Sequence, residues 1–122
     1  MTSRNADGPH YSPFVIGGGL VFVSGQLPFR PGRDTSLAAA SVRVQTEQAL
    51  ANLKAVLESA GVGPAQVVRT TVYLTDMNDW GEIDAAYRAF FGAARPARTV
   101  VSTGPLHFGF AIEIDAIATA ET

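Results

Sequence analysis

Arg98 stands between Pro96-Ala97 and the β-branched run Thr99-Val100-Val101, in the stretch Arg95-Pro96-Ala97-Arg98-Thr99-Val100-Val101-Ser102. A guanidinium at the start of a strand has its backbone held by the ladder and offers a rigid two-pronged donor that matches a carboxylate. Arg95 precedes a proline in a loop and is expected to be solvated. Further along, Glu113 and Asp115 alternate with Ile112, Ile114 and Ala116. Such carboxylates can position or activate a water, or they can neutralise Arg98 as a cross-strand ion pair, and the residues alone leave both readings open. The sequence holds two histidines, His10 and His107, and no cysteine, so an ordinary closed metal site cannot be assembled and no metal is expected. A Ser24, His107 and Asp115 triad would need a nucleophile elbow around Ser24, and Val23-Ser24-Gly25-Gln26 is not one. A hydroxyl that closes a strand end, as Ser24 does, is common without function. His107 is expected at a cleft rim, where it could tune the response to pH.

The elements that must hold these groups can be read from hydropathic period and turn chemistry. Phe14-Val15-Ile16 and Leu20-Val21-Phe22-Val23-Ser24 flank Gly17-Gly18-Gly19, which predicts a β-hairpin. The triple glycine is not a phosphate cradle, because no Lys-Ser/Thr follows and it opens a strand rather than a helix. Residues 28–34, PFRPGRD, form a loop. Thr46, Leu50, Leu53, Leu57 and Ala60 share one face of an amphipathic helix expected over residues 36–60 and stopped by Gly61. Residues 67–75 alternate as a strand. Asn78 or Asp79 can cap a second helix whose Trp80, Ile83, Tyr87 and Phe90 form a core-packing stripe. A strand begins at Arg98. A last one runs over 110–119, with Phe110, Ile112, Ile114, Ala116 and Ala118 on one face and Glu113, Asp115, Ile117 and Thr119 on the other.

The resulting order, ββαβαββ, implies an α+β sandwich with two helices on one sheet face. The opposite face still carries Ile117 and other apolar side chains, and oligomerisation would cover it. The sequence has 122 residues, enough for one domain spanning 1–122 with a flexible N-terminus over about 1–12. Nine basic and eleven acidic residues give a net charge of −2, which argues against a general nucleic-acid or membrane-surface binder. No signal peptide and no run of transmembrane length is present, so a soluble, cytoplasmic protein is expected.

Several segments together resemble the reactive-intermediate deaminase (RidA/YjgF) family, also labelled L-PSP endoribonucleases. They are Val23-Ser24-Gly25-Gln26-Leu27-Pro28, residues 70–79 (TTVYLTDMND), residues 86–91 (AYRAFF), Pro96-Ala97-Arg98-Thr99 and residues 112–118 (IEIDAIA). The resemblance runs from about Ser12 onward. It implies a chorismate-mutase-like protomer and a homotrimer around a central β-barrel, with sites between subunits. It implies hydrolysis of 2-imino or 2-enamino acids to 2-oxo acids and ammonia, with no cofactor. Arg98 would anchor the substrate carboxylate and Glu113 would position or activate the water. Ser24, Phe14, Val100, Tyr87 and His107 would line the substrate site.

The chain departs from the family pattern at several of these places. Phe14 stands where many members have a tyrosine, so a hydroxyl is missing. Val100 replaces a frequent cysteine, and Asp84 replaces a frequent asparagine, adding a carboxylate that opposes an anionic substrate. Residues 102–109, STGPLHFG, also differ and bring in His107. Two further readings stand beside the hydrolase: a trimer that binds or senses a small carboxylate without turning it over, and a ribonuclease-like or chaperone-like activity.

Overall fold

Glycine solves the first turn of the chain in the computed structural model, which describes residues 8–120. Strands β1 (Phe14–Gly17) and β2 (Leu20–Gln26) are joined through Gly18 and Gly19, whose φ angles are 60° and 78°. A two-residue hairpin loop with positive φ at both positions matches the twist of its strands, and glycine reaches it without the strain that a Cβ brings. Helix α1 (Val42–Ser59), strand β3 (Val67–Leu74), helix α2 (Trp80–Phe91), strand β4 (Ala97–Ser102) and strand β5 (Ile112–Thr119) follow. The expected ββαβαββ order is the observed one.

The first helix starts later than its expected position at residue 36. Ser36–Ala39 forms a separate 3₁₀ turn, Ala40 is extended, and Ser41 caps α1 by accepting from the Val44 N–H at 3.2 Å. A serine that satisfies an orphan amide fixes a helix start more strongly than the alanine-rich run before it. At the other end Val62 N–H donates to Leu57 O and Gly61 N–H to Glu58 O, with Gly61 at φ 84°. This is a Schellman cap, and it explains why the helix stops where the glycine predicted. The second helix is entered through a 3₁₀ turn, Met77–Asp79, with Asp76 rather than Asn78 or Asp79 accepting the capping bond from Asn78 N–H. Phe91 takes the buried place expected for Phe90, which is only partly buried.

The five strands form one mixed sheet in the order β1-β2-β5-β3-β4, antiparallel throughout except for the parallel β3–β4 pair. Both helices pack on one face, where Leu50, Leu53, Leu57, Ile83 and Tyr87 meet Val21, Val72, Ile112 and Ile114. Burial of such side chains contributes about 1.5 to 3 kcal/mol each. The last strand begins at Ile112, not at residue 110. Phe110 is fully buried, but it follows a His107–Gly109 turn in which Phe108 adopts φ 62°. Residues 1–7 of the expected flexible N-terminus lie outside the described residues. Ser12 and Pro13 are held to β2, with Ser24 Oγ donating to Ser12 O at 2.6 Å and Ser24 N–H to Pro13 O at 3.0 Å, whereas residues 9–11 are exposed. No helix of the described residues is long and apolar enough to cross a membrane.

The hairpin gives a direct test. Gly19→Ala places a Cβ at positive φ and should lower stability in urea unfolding by about 1 to 2 kcal/mol. Gly17 has ordinary φ and open space around it, so Gly17→Ala should change stability by less than about 0.5 kcal/mol.

Candidate functional site

Strand alternation sends the two principal candidates to opposite sides of the sheet. Arg98 is in register with Thr70, which faces the helices, whereas Glu113 is in register with Tyr73, which faces away from them. Within one chain Arg98 and Glu113 are therefore not brought together, and each lines its own cleft.

The Arg98 cleft, about 450 Å³, is walled by α2 and the loop into β4. Arg98 Nη1 donates to Asp84 Oδ1 at 3.0 Å, and its Cζ lies 4.7 Å from the Trp80 ring centroid and 4.8 Å from that of Tyr87. The carboxylate paired with Arg98 is thus Asp84, on the helix face, rather than Glu113 or Asp115, which the sheet separates from it. Arg88 Nε donates to the other Asp84 oxygen at 2.9 Å. These two guanidinium bonds, the one from Arg88 first, hold the Asp84 carboxyl below its usual range. Asp84 thereby engages one prong of Arg98 while the aromatic faces of Trp80 and Tyr87 fix its plane. Tyr87 is buried, shares a 2.8 Å hydrogen bond with Thr70, and has its phenol pKa pushed up by that burial. Arg95 is exposed in its loop and lines the same cleft. Val100 packs on the core behind it instead of lining it.

The Glu113 cleft is larger, about 780 Å³, and gathers Ser24, His107 and Glu113. It opens where β2 carries an irregularity between Val23 and Gln26. Gly25 sits at that point, and a Cβ there would press on the Glu113 carboxylate, so in its observed rotamer Glu113 occupies the space that the absent side chain leaves. Glu113 is half-buried and receives no hydrogen bond or ion pair from another described residue. Its pKa is raised by burial, opposed by the nearby His107, and raised further by Asp115. Desolvation without a compensating partner is the usual way to tune a carboxyl toward proton transfer near neutral pH.

The other candidates divide. Asp115 is occupied by Tyr73 OH at 3.0 Å and Thr71 N–H at 3.2 Å, and the Ser24 proton goes to Ser12 O, so no Ser24, His107, Asp115 relay is formed. Phe14 pairs with Val23 and packs against the core, and it lines neither cleft. The tyrosine that does reach the Glu113 cleft is Tyr11, which sequence reasoning passed over because it lies in a segment expected to be flexible. Phe29, Arg33 and Phe108 were passed over as well. For Phe29 and Arg33 the clue was the compact Pro31-Gly32-Arg33 turn, whose fold returns Arg33 to Phe29. Among the described residues no group of three or more His, Cys, Asp or Glu is placed to hold a metal ion.

Two loops shape this cleft, and both are tied to α1 by side-chain amides. Asn52 Nδ2 donates to Leu27 O and Phe29 O, each at 2.9 Å. Buried Gln45 donates to Ala40 O at 3.1 Å and accepts from Ala111 N–H at 2.8 Å, just after the His107 turn. Buried polar groups satisfied in this way fix geometry that apolar packing alone would leave loose.

Comparison with known proteins supplies the context for this arrangement. The family model described as Endoribonuclease L-PSP matches residues 2–120. A RutC family protein of Pyrococcus horikoshii is 40% identical over 111 residues, covering 91% of this chain and 87% of its own. The protein of Salmonella typhimurium named 2-iminobutanoate/2-iminopropanoate deaminase is 41% identical over 112 residues, covering 87% and 86%. Among solved structures, the YjgF gene product of Escherichia coli superposes with a TM-score of 0.82 at 38% identity, covering 93% of this chain and 90% of that one. Escherichia coli TdcF with bound serine gives 0.82 at 34% identity, covering 96% and 92%. On the strength of its motifs, its fold and these matches, the chain belongs to the RidA/YjgF family, whose model carries the L-PSP endoribonuclease description.

Proposed function

We propose that this protein hydrolyses 2-imino and 2-enamino acids to 2-oxo acids and ammonia in a homotrimer, at sites that each take Arg98 from one copy and Glu113 from the next. The observation that carries the reading is Glu113: half-buried, without a side-chain partner among the described residues, and lying in the space left open beside Gly25. The Salmonella relative is named for this reaction, and the TdcF structure holds serine, a small amino acid. Assembly is supported by the sheet face turned away from the helices. There Val15, Phe22 and Ile117 are in register across β1, β2 and β5, with Val15 49% and Phe22 43% exposed. An apolar row of this kind calls for a cover, and in the proposed trimer neighbouring copies supply it, which would set Arg98 on the β4 edge of one copy beside the Glu113 cleft of the next.

In this reading Arg98 binds the substrate carboxylate with the N–H donors that Asp84 leaves free. Glu113 accepts a proton from water as the water oxygen bonds to C2 and the C=N electron pair moves to nitrogen. The nitrogen takes up a proton, and collapse of the resulting carbinolamine restores a C=O bond and releases ammonia. An enamine is first protonated at its terminal carbon. An imine is electrophilic without help, so positioning and proton transfer suffice. The ribonuclease reading has less support, since nine basic residues against eleven acidic ones give no excess of cations to track phosphates.

Mixing defective subunits tests the shared site. Arg98→Ala and Glu113→Gln should each be inactive toward 2-iminopropanoate, with light scattering reporting a trimer for both. Co-refolded at equal ratio, they should regain activity at about a quarter of sites, because random neighbours then supply one intact arginine and one intact glutamate. No recovery in mixed trimers would rule out a site divided between copies.

The raised pKa of Glu113 generates a second expectation. A carboxyl whose folded pKa exceeds its unfolded value gives its full contribution to stability below the unfolded value and loses it as pH rises through the folded one. Glu113→Gln should therefore raise the Tm relative to wild type near about pH 8 but not near about pH 4, even as it abolishes turnover. Wild-type turnover should rise with pH as Glu113 ionises, through a midpoint above the ordinary glutamate value.

A further inference from the structure

Among the described residues, only Arg33 and Phe108 adopt positive φ without being glycine, at 57° and 62°. They lie far apart in sequence, yet both line the Glu113 cleft and both touch the same side chain. The Arg33 guanidinium carbon lies 4.4 Å from the Phe29 ring centroid, and the Phe108 ring meets Phe29 edge-on at 5.3 Å. Fully buried Phe110 supports Phe29 from below at 5.4 Å, also edge-on. Left-handed backbone at an arginine and a phenylalanine is unfavourable and persists only where its surroundings impose it.

The surroundings here do impose it. The Arg33 loop is closed by paired backbone bonds between Arg30 and Asp34, and its base is held to α1 by Asn52. The Phe108 turn is held by the bond from Ala111 N–H to Gln45. The result places Phe108, 55% exposed, at the rim of the cleft in a conformation where glycine would be easier. With Pro31 and Val56 nearby, the wall on this side of Glu113 is apolar and largely aromatic.

We propose that Phe29 and Phe108, with Arg33 stacked on Phe29, form a side-chain subsite that selects 2-imino acids bearing aromatic or long branched apolar side chains over those with one or two side-chain carbons. This deepens the hydrolase reading and rests on it for the identity of the ligand. The carboxylate and the reacting carbon lie toward Arg98 and Glu113, and the substrate's apolar side chain lies along the Phe108 ring. An aromatic edge or face supplies such a side chain with both buried area and ring–ring contact. Ligand sites commonly combine an apolar wall of this kind with a few polar groups that orient the reacting end.

The test compares imino acids formed in situ from phenylalanine, leucine and alanine by an L-amino-acid oxidase, with wild type and Phe108→Gly. A parallel arm measures binding of phenylpyruvate and pyruvate by calorimetry. Glycine suits φ 62°, so the variant should fold with unchanged or raised Tm. Wild type should favour the phenylalanine- and leucine-derived substrates, and Phe108→Gly should lower the ratio of kcat/KM for phenylalanine-derived over alanine-derived substrate by about three- to tenfold. An unchanged ratio, or a wild type that favours the alanine-derived imine, overturns the subsite while leaving the hydrolase reading standing. Absence of turnover with every imine, together with tighter phenylpyruvate than pyruvate binding that Phe108→Gly erases, overturns the hydrolase reading and sustains the subsite. Absence of both turnover and selective binding overturns both.

Discussion

The period-two alternation of β5 governs the core, the Glu113 cleft and the outer face at once. This strand is hydrogen-bonded on both sides, to β2 and to β3, so its register cannot slip without moving two neighbours. Ile112, Ile114, Ala116 and Ala118 are sent into the core and fill the space below α1. The same geometry sends Glu113, Asp115 and Ile117 to the other face, where Glu113 lines the larger cleft, Asp115 braces Tyr73 and Thr71, and Ile117 joins the apolar row with Phe22. A carboxylate placed there inherits the rigidity of a strand paired on both sides. Side chains on such an element keep their geometry better than those on loops, and here the loops supply the walls of the Glu113 cleft instead.

Helix α1 connects those walls to the core. Its apolar stripe is an ordinary packing face, but the side-chain amides of Gln45 and Asn52 hold the His107 turn and the Leu27–Phe29 segment through their backbone groups. The Arg98 side of the sheet is built differently. There a charged side chain is fixed by ring faces and by a second charge, Asp84, so that its orientation comes from electrostatics. Asp84 also means that an incoming carboxylate must share a guanidinium already in use, and part of its attraction goes to offset that pairing.

Much of the architecture was legible because it depends on local chemistry. The Gly17-Gly18-Gly19 turn, the end of α1 at Gly61 and the alternation along β5 are each set by a few adjacent residues. Legibility failed where a distant contact decided the outcome. Nothing in the alanine-rich stretch before Ser41 marks it as a 3₁₀ turn, and nothing near Arg98 identifies Asp84 as its partner, since that pairing requires α2 to cross over β4. Glu113 could be found by its motif, but its room beside Gly25 depends on a strand irregularity that hydropathy does not record. Arg33 and Phe108 were hidden for a related reason. Turn propensity points to glycine where φ is positive, so an arginine or phenylalanine in that conformation is visible only once the loops are seen to hold it.

The central position of β5 also bears on how the chain is made. In order of synthesis it follows every other strand, yet it lies between β2 and β3 and separates the β1–β2 hairpin from the β3–β4 pair. Until it emerges, the two halves of the sheet each present an unpaired edge that faces the vacancy, and the apolar row of α1 has only part of its cover. Pairings of large sequence separation form late, and exposed edges invite association with other chains in the interval. Nascent chains halted before Ile112 should therefore be natural clients for chaperones that shield open strands, and completion of this one strand would release them.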